Sequence, residues 1–223
     1  MRKLFNYKIL QFMCLFGAAF FYSEVFADST KEVWLEFKGA KDCQESFCAD
    51  GIPAGLLENA LSYIKNNQNI IHNKNYMTII DFTVNSTEKR MYILNLQTGS
   101  VEKLLVTHGK KSEGELGMAK FFSNTPESEM SSLGYYVTDS KSYIGKHGNS
   151  LRLNGLSLTN SNARLRNIVI HAAEYATEDF VKIRGRLGLS QGCPAVDPDK
   201  ITEVINKLKG ESLLYIYSDQ ESI

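Results

Sequence analysis

The chain is predicted to fold as a mainly β (α+β) domain behind a short N-terminal helical segment. Three observations support this. Runs rich in β-branched and aromatic residues follow one another at 77–84 (MTIIDFTV), 90–96 (RMYILNL) and 101–108 (VEKLLVTH), separated by short polar turns. Helical periodicity is confined to a few stretches. The 223 residues, 43% apolar and without repeat or linker, are enough for one good-sized core.

In chain order, Pro53 suits a first helical turn. Leu57, Leu61 and Ile64 then recur at helical spacing beside Leu56 and Ala60, which predicts a helix over 53–67. The three apolar runs read as a β-meander, turning at 85–89 and 98–100. Residues 109–132 are polar, with Gly, Asn and Pro, and read as a loop; loops of that length usually serve function or move. Further strands are expected at 134–138, 150–153, 167–171 and 213–217. Residues 174–183 can form a short helix, and Asp197-Pro198 opens another that runs to Leu208 before Gly210.

The first 27 residues are read apart from the fold. Arg2, Lys3 and Lys8 precede a 13-residue apolar run from Ile9 to Phe21, and Val25-Phe26-Ala27 follows. That order is a secretory signal peptide, with cleavage expected after Ala27. The run is short for a bilayer span, which takes about 20 residues. An uncleaved anchor is the alternative, and a lipoprotein cut at Cys14 lacks the small residues it needs. The expected divisions are 1–27 signal peptide, 28–75 helical segment and 76–223 the main β-rich domain. The mature chain holds 22 basic and 24 acidic residues. It is expected to be exported and to keep no stable membrane anchor. Without basic excess, no nucleic-acid partner is expected. Apolar content and near-zero net charge argue against disorder.

Cys43 and Cys48 form a tight pair that an oxidising compartment favours as a disulfide. A metal would need two more ligands nearby, and only His72 is within sequence reach, so neither metal nor cofactor is expected. Cys193 is left unpaired and is either a reactive thiol or a buried inert one. Trp34 is assigned packing only.

The residues that carry chemistry lie late in the chain. Ile168-Val169-Ile170-His171 places a histidine at the end of an apolar strand. Ser190-Gln191-Gly192-Cys193-Pro194 places a cysteine in a Gly-flanked loop 22 residues later. A thiol attacks a carbonyl as thiolate, and histidine is the usual base. Gly192 lets backbone approach a substrate closely, and its N–H with that of Cys193 could hold an oxyanion.

These residues resemble the murein L,D-transpeptidase catalytic-domain family of the YkuD type, in a divergent S-x-G-C-P branch. The family signature, a strand-end His and then S/T-x-G-C, is matched by His171 and Ser190-Gln191-Gly192-Cys193. Agreement extends in order through Asp81-Phe82-Thr83, Glu88-Lys89-Arg90, Thr107-His108-Gly109-Lys110, Phe122-Ser123-Asn124-Thr125-Pro126, Ser131-Ser132-Leu133-Gly134, Gly145-Lys146-His147-Gly148 and Gly185 to Val196, covering about 53–217. The resemblance implies a β-sandwich-like catalytic domain acting on peptidoglycan stem peptides. It implies Cys193 as nucleophile and His171 as base and acid, oriented by a backbone carbonyl such as that of Ala172. The oxyanion would lie on the Gly192 and Cys193 amides. The thioester would pass to an amine of another stem, giving a 3→3 cross-link. A bacterial periplasm or cell envelope and a monomer are expected. The family often has His or Lys where Gln191 stands, and Arg or Asn where Pro194 and Ala195 follow the cysteine. Hydrolysis of the same substrate, as by an L,D-carboxypeptidase or related peptidase, therefore stays open, as does a non-catalytic cell-wall binding module.

Other candidates have plainer roles open to them. His147, in a polar Gly-flanked loop, could contact substrate or be a surface histidine. Arg152, Arg184 and above all Arg186 could fork onto a stem-peptide carboxylate or form surface ion pairs. Tyr175 could pack over the His171 ring or belong to the core. Ser190 could brace the cysteine loop or merely turn the chain. His108 is expected to be structural and His72 exposed.

Overall fold

The computed structural model describes residues 47–48 and 51–223. Residues 1–27, read from the sequence as a signal peptide, lie outside the described residues, as do Trp34 and Cys43, and with Cys43 the expected Cys43–Cys48 disulfide. Among the described residues no helix is long and apolar enough to cross a membrane.

The protein is mostly β, with three α-helices among the described residues. A small antiparallel pair, β1 (Phe47–Cys48) with β2 (Ile52–Pro53), leads into helix α1 (Ala54–Asn66). The predicted meander is present as β3 (Tyr76–Asp81), β4 (Met91–Asn95) and β5 (Val101–Leu104). Next come β6 (Gly134–Thr138), the hairpin of β7 (Tyr143–Gly145) and β8 (Gly148–Gly155), and β9 (Val169–Ala172). Helix α2 (Glu178–Arg184), β10 (Ala195–Val196), helix α3 (Ile201–Leu208) and β11 (Leu213–Tyr217) complete the chain.

The last strand is central. β11 enters between β6 and β3, parallel to β3 and antiparallel to β6, so the sheet order is β10-β9-β8-β6-β11-β3-β4-β5 with β7 beside β8. The ends of this sheet curl toward each other. Past β5, Thr107 N–H donates to Ala195 O (3.0 Å), and Ala195 N–H donates to Thr107 Oγ1 (3.1 Å). Ser190 N–H donates to His108 O (3.0 Å) and Lys110 N–H to Ser190 O (2.8 Å), making the sheet nearly a barrel.

Side chains alternate between two cores, as a pleated sheet requires. Ile80, Met91, Ile93, Leu214 and Ile216 face one core with Ile170, Val196 and the apolar side of α3. Met77, Ile79, Tyr92, Leu94 and Leu213 face the other, covered by Leu56, Leu57, Ala60 and Ile64 of α1. The helix read from the sequence as an N-terminal segment thus closes one face of the β domain.

A buried cation organises the turn-rich end of the sheet. Arg90 is fully buried. Its Nε and Nη2 donate to Val106 O (3.1 and 2.9 Å), Nη1 to Val84 O (2.9 Å), and Nη2 also to His108 Nδ1 (2.8 Å). The guanidinium also lies 4.8 Å from the Phe82 ring centre. Burial lowers its pKa to about 9, against the field of Asp81, so it stays charged at neutral pH. Burial first, then the charges of Arg90 and Arg186, lower the His108 pKa to about 3. His108 is therefore neutral and structural, as the sequence suggested. With Nδ1 accepting, its buried Nε2–H finds no partner among the described residues.

Arg90→Met should lower unfolding free energy by about 3–5 kcal/mol, because three carbonyl and ring acceptors lose a buried donor. A urea titration measures this. Since His108 binds its proton more weakly folded than unfolded, its share of stability is full above about pH 6.5. It falls as pH drops toward about 3. The acid loss should be smaller in His108→Gln, whose amide oxygen can still accept from Arg90.

Candidate active site

The site is built where β9 and β10 run parallel. Ala195 pairs with His171 and Val196 with Ala172. Two residues before Ala195, Cys193 thus lies beside Val169, and Val169 N–H donates to its Sγ (3.5 Å). The thiol in turn donates to Asn167 O (3.8 Å). Cys193 and His171 line one cleft of about 1130 Å³, with His147, Arg166, Tyr175 and Ser190. Gln191, Asn167, Lys146, Glu127 and Glu129 line it too.

His171 is 2% exposed. Its Nδ1 donates to Ala172 O at 2.8 Å, which leaves Nε2 as the basic nitrogen. The ring stacks on that of His147, with centres 4.4 Å apart and planes at 27°. Burial lowers its pKa, the Ala172 bond opposes this, and His147 lowers it further. Burial raises the Cys193 pKa, against the Val169 N–H and the Arg166 charge. The resting pair is therefore neutral thiol and neutral imidazole.

The cysteine loop is held from within. Ser190 Oγ donates to Cys193 O (2.6 Å) and accepts from Gly192 N–H (3.1 Å). Of the two amides expected at an oxyanion site, that of Gly192 is engaged by Ser190, whereas the Cys193 N–H has no partner among the described residues. Gly192 is needed for another reason. Its φ is +111°, and a Cβ there would lie 2.6 Å from Met130 O. Ser131 Oγ, which donates to Gly192 O (3.4 Å), joins the same contact.

Backbone strain gathers here. Four non-glycine residues among those described have positive φ, and Glu127, Glu129 and Asn167 of these line the cleft. Each such residue costs of order 1–3 kcal/mol and is kept where surroundings over-determine it. Glu129 is bound by both Lys110 and Lys111, the latter at 3.4 Å.

The other candidates separate cleanly. His147, Tyr175 and Ser190 are at the cleft. Tyr175 does not stack on His171; it packs against Gly188, whose N–H donates to Tyr175 O (2.8 Å). Arg186 is not at the cleft, contrary to expectation: its Nε pairs with Glu113 (3.1 Å) and its Nη1 donates to Leu187 O (2.6 Å), so the fork is turned inward. Arg152 lies over the Tyr143 ring (4.4 Å). His72 pairs with Glu211 on the surface. Arg166, Asn167 and Lys146 were not singled out from sequence. The one available signal for Arg166 and Asn167 was their place just ahead of the strand ending in His171.

A match to the family model described as L,D-transpeptidase catalytic domain runs over residues 49–217. The chain belongs to that family. The match to the L,D-transpeptidase catalytic domain begins before α1 and so includes it. Solved structures similar to the chain include an L,D-transpeptidase from Mycobacterium smegmatis, 12% identical over 65% of this chain and 59% of that one (TM-score 0.39). Another is the helical cell shape determining protein from Campylobacter jejuni, 13% identical over 76% and 58% (TM-score 0.41). A third is an L,D-transpeptidase from Xylanimonas cellulosilytica, 12% identical over 83% and 78% (TM-score 0.36). The chain thus spans about three-fifths of the first two. No curated protein sequence matches it.

His147→Ala should raise the His171 pKa, since it removes a neighbouring charge and opens the ring to water. The acid limb of His171 titration, followed by imidazole NMR, should move to higher pH; an unmoved limb would show that the stack does not tune the base.

Proposed function

We propose that the protein is an exported cysteine acyltransferase acting on peptidoglycan stem peptides, an L,D-transpeptidase of cell-wall remodelling. The observation that carries the reading is the parallel β9–β10 pairing. It brings Cys193 and His171 to one cleft, with the imidazole fixed so that Nε2 is its base. Family membership supports the substrate class.

In the proposed reaction, His171 Nε2 takes the Cys193 proton as sulfur attacks the carbonyl at the L-centre of the diamino acid in a tetrapeptide stem. The C–S bond forms and negative charge develops on oxygen near the Cys193 N–H. The tetrahedral intermediate collapses, the peptide bond to the terminal D-alanine breaks, and His171 returns the proton to the departing amine. The amine of a second stem then attacks the thioester. It loses a proton to His171, and the thiol is restored as the new amide forms. Water in the amine's place would give a tripeptide. With the Arg186 fork turned inward, Lys146 at the rim is the cation we assign to a stem carboxylate. The apolar run at 9–21 supports export, which would bring the enzyme to this substrate.

The test is mass spectrometry of disaccharide-tetrapeptide incubated with the protein. A 3→3 dimer is the expected product, absent with Cys193→Ala at unchanged fold. Tripeptide without dimer would make the enzyme an L,D-carboxypeptidase. No product, with Cys193 inert to thiol reagents in the folded protein, would favour a binding module. His171→Gln should slow acylation by about 10² to 10⁴.

A further inference from the structure

Arg166 stands on the turn before β9, next to Asn167, whose carbonyl receives the Cys193 thiol. Its half-buried guanidinium lines the cleft. Nη1 donates to Ser123 O (2.8 Å) and Ser132 Oγ (3.2 Å), and Nη2 to Ser128 Oγ (3.2 Å) and Met130 O (2.5 Å). One side chain thus ties both ends and the middle of residues 123–132. Nη2 is also 3.1 Å from where a Cβ on Gly192 would sit, so the same group abuts the backbone just before the nucleophile.

The four Nη hydrogens are all engaged within the protein. Arg166 is therefore not placed to fork onto a substrate carboxylate. What it offers the cleft is a fixed wall and a charge. The groups around that charge are the Cys193 thiol and the buried Tyr136 hydroxyl. His171, His147, Tyr175, Lys146, Glu127 and Glu129 line the same cleft, the last already bound by Lys110 and Lys111. Asp and Glu side chains make no ion pair with Arg166 among the described residues, so its charge is not cancelled locally.

We propose that Arg166 is a positioning residue of the cysteine centre: it pins residues 123–132 as the cleft wall beside Cys193 and supplies the cation that supports the thiolate. The proposal rests on Cys193 being the nucleophile. Its two halves need different properties of arginine, the fork for the wall and the charge for the sulfur.

The test uses the full chain and Arg166→Gln, Arg166→Lys and Ser128→Ala. Alkylation of folded protein by iodoacetamide is followed from about pH 5 to pH 11, read on the Cys193 peptide by mass spectrometry, beside limited proteolysis within 123–132. Arg166→Gln should move the alkylation midpoint up by about one pH unit, slow alkylation near neutrality about tenfold, and speed cleavage. Arg166→Lys should keep the midpoint but speed cleavage, since an ammonium cannot hold four acceptors. Ser128→Ala should leave the midpoint unchanged. An unshifted midpoint in Arg166→Gln, or wild-type cleavage in Arg166→Lys, would overturn the proposal. Should Arg166→Gln fail to fold, the Lys variant decides by its cleavage rate. Wild-type Cys193 inert at every pH would instead overturn the nucleophile reading, while cleavage still tests the wall.

Discussion

The structure depends most on the short strand β10. Ala195 is held on both sides, by β9 through the parallel register with His171 and by Thr107 beyond β5 through two hydrogen bonds. That double pairing draws the sheet's ends together and fixes where the preceding loop must lie. The cysteine loop is then bonded to the same extended segment through Ser190 and His108. The position of Cys193 beside Val169 follows from register, which a parallel ladder sets to within one residue. Behind the segment, Arg90 binds Val84, Val106 and His108, so a buried cation outside the cleft supports the backbone on which the loop rests.

Burial governs the chemistry of the cleft in one direction. It lifts the thiol and lowers the imidazole, so both are neutral at rest. A neutral pair spares the protein an unsolvated ion pair. The polar groups around the sulfur, the Val169 N–H and the Arg166 guanidinium, oppose the burial effect and are already oriented. Strained backbone at Glu127, Glu129 and Asn167 borders the same space, where the 123–132 segment, the cysteine loop and the turn before β9 press together.

Much of this was legible in the sequence. The meander, α1 and the strand at 213–217 follow from period-2 and period-3.6 patterns, which local sequence carries directly. The central place of β11 does not, because the order of strands in a sheet is a long-range property. β10, two residues long, and β7, three, are too short for any pattern. His171 and Cys193 were readable because their types and spacing are distinctive, and His147 because glycines flank it in a hairpin turn. Arg186 misled: nearness in sequence to the cysteine said nothing of Glu113, which takes its guanidinium. Arg166 was missed for the converse reason, since its partners lie 34 to 43 residues away. That Ser190 Oγ occupies the Gly192 amide was not legible, because only the fold shows it.

The proposed mechanism passes through a covalent acyl-enzyme, which intact-mass spectrometry can catch. Protein mixed with a tetrapeptide stem is quenched in acid during turnover and weighed. A single adduct with the mass of the tripeptide acyl group, mapped to Cys193, is expected. Turnover with no adduct at any time, or an adduct on another residue, would contradict it.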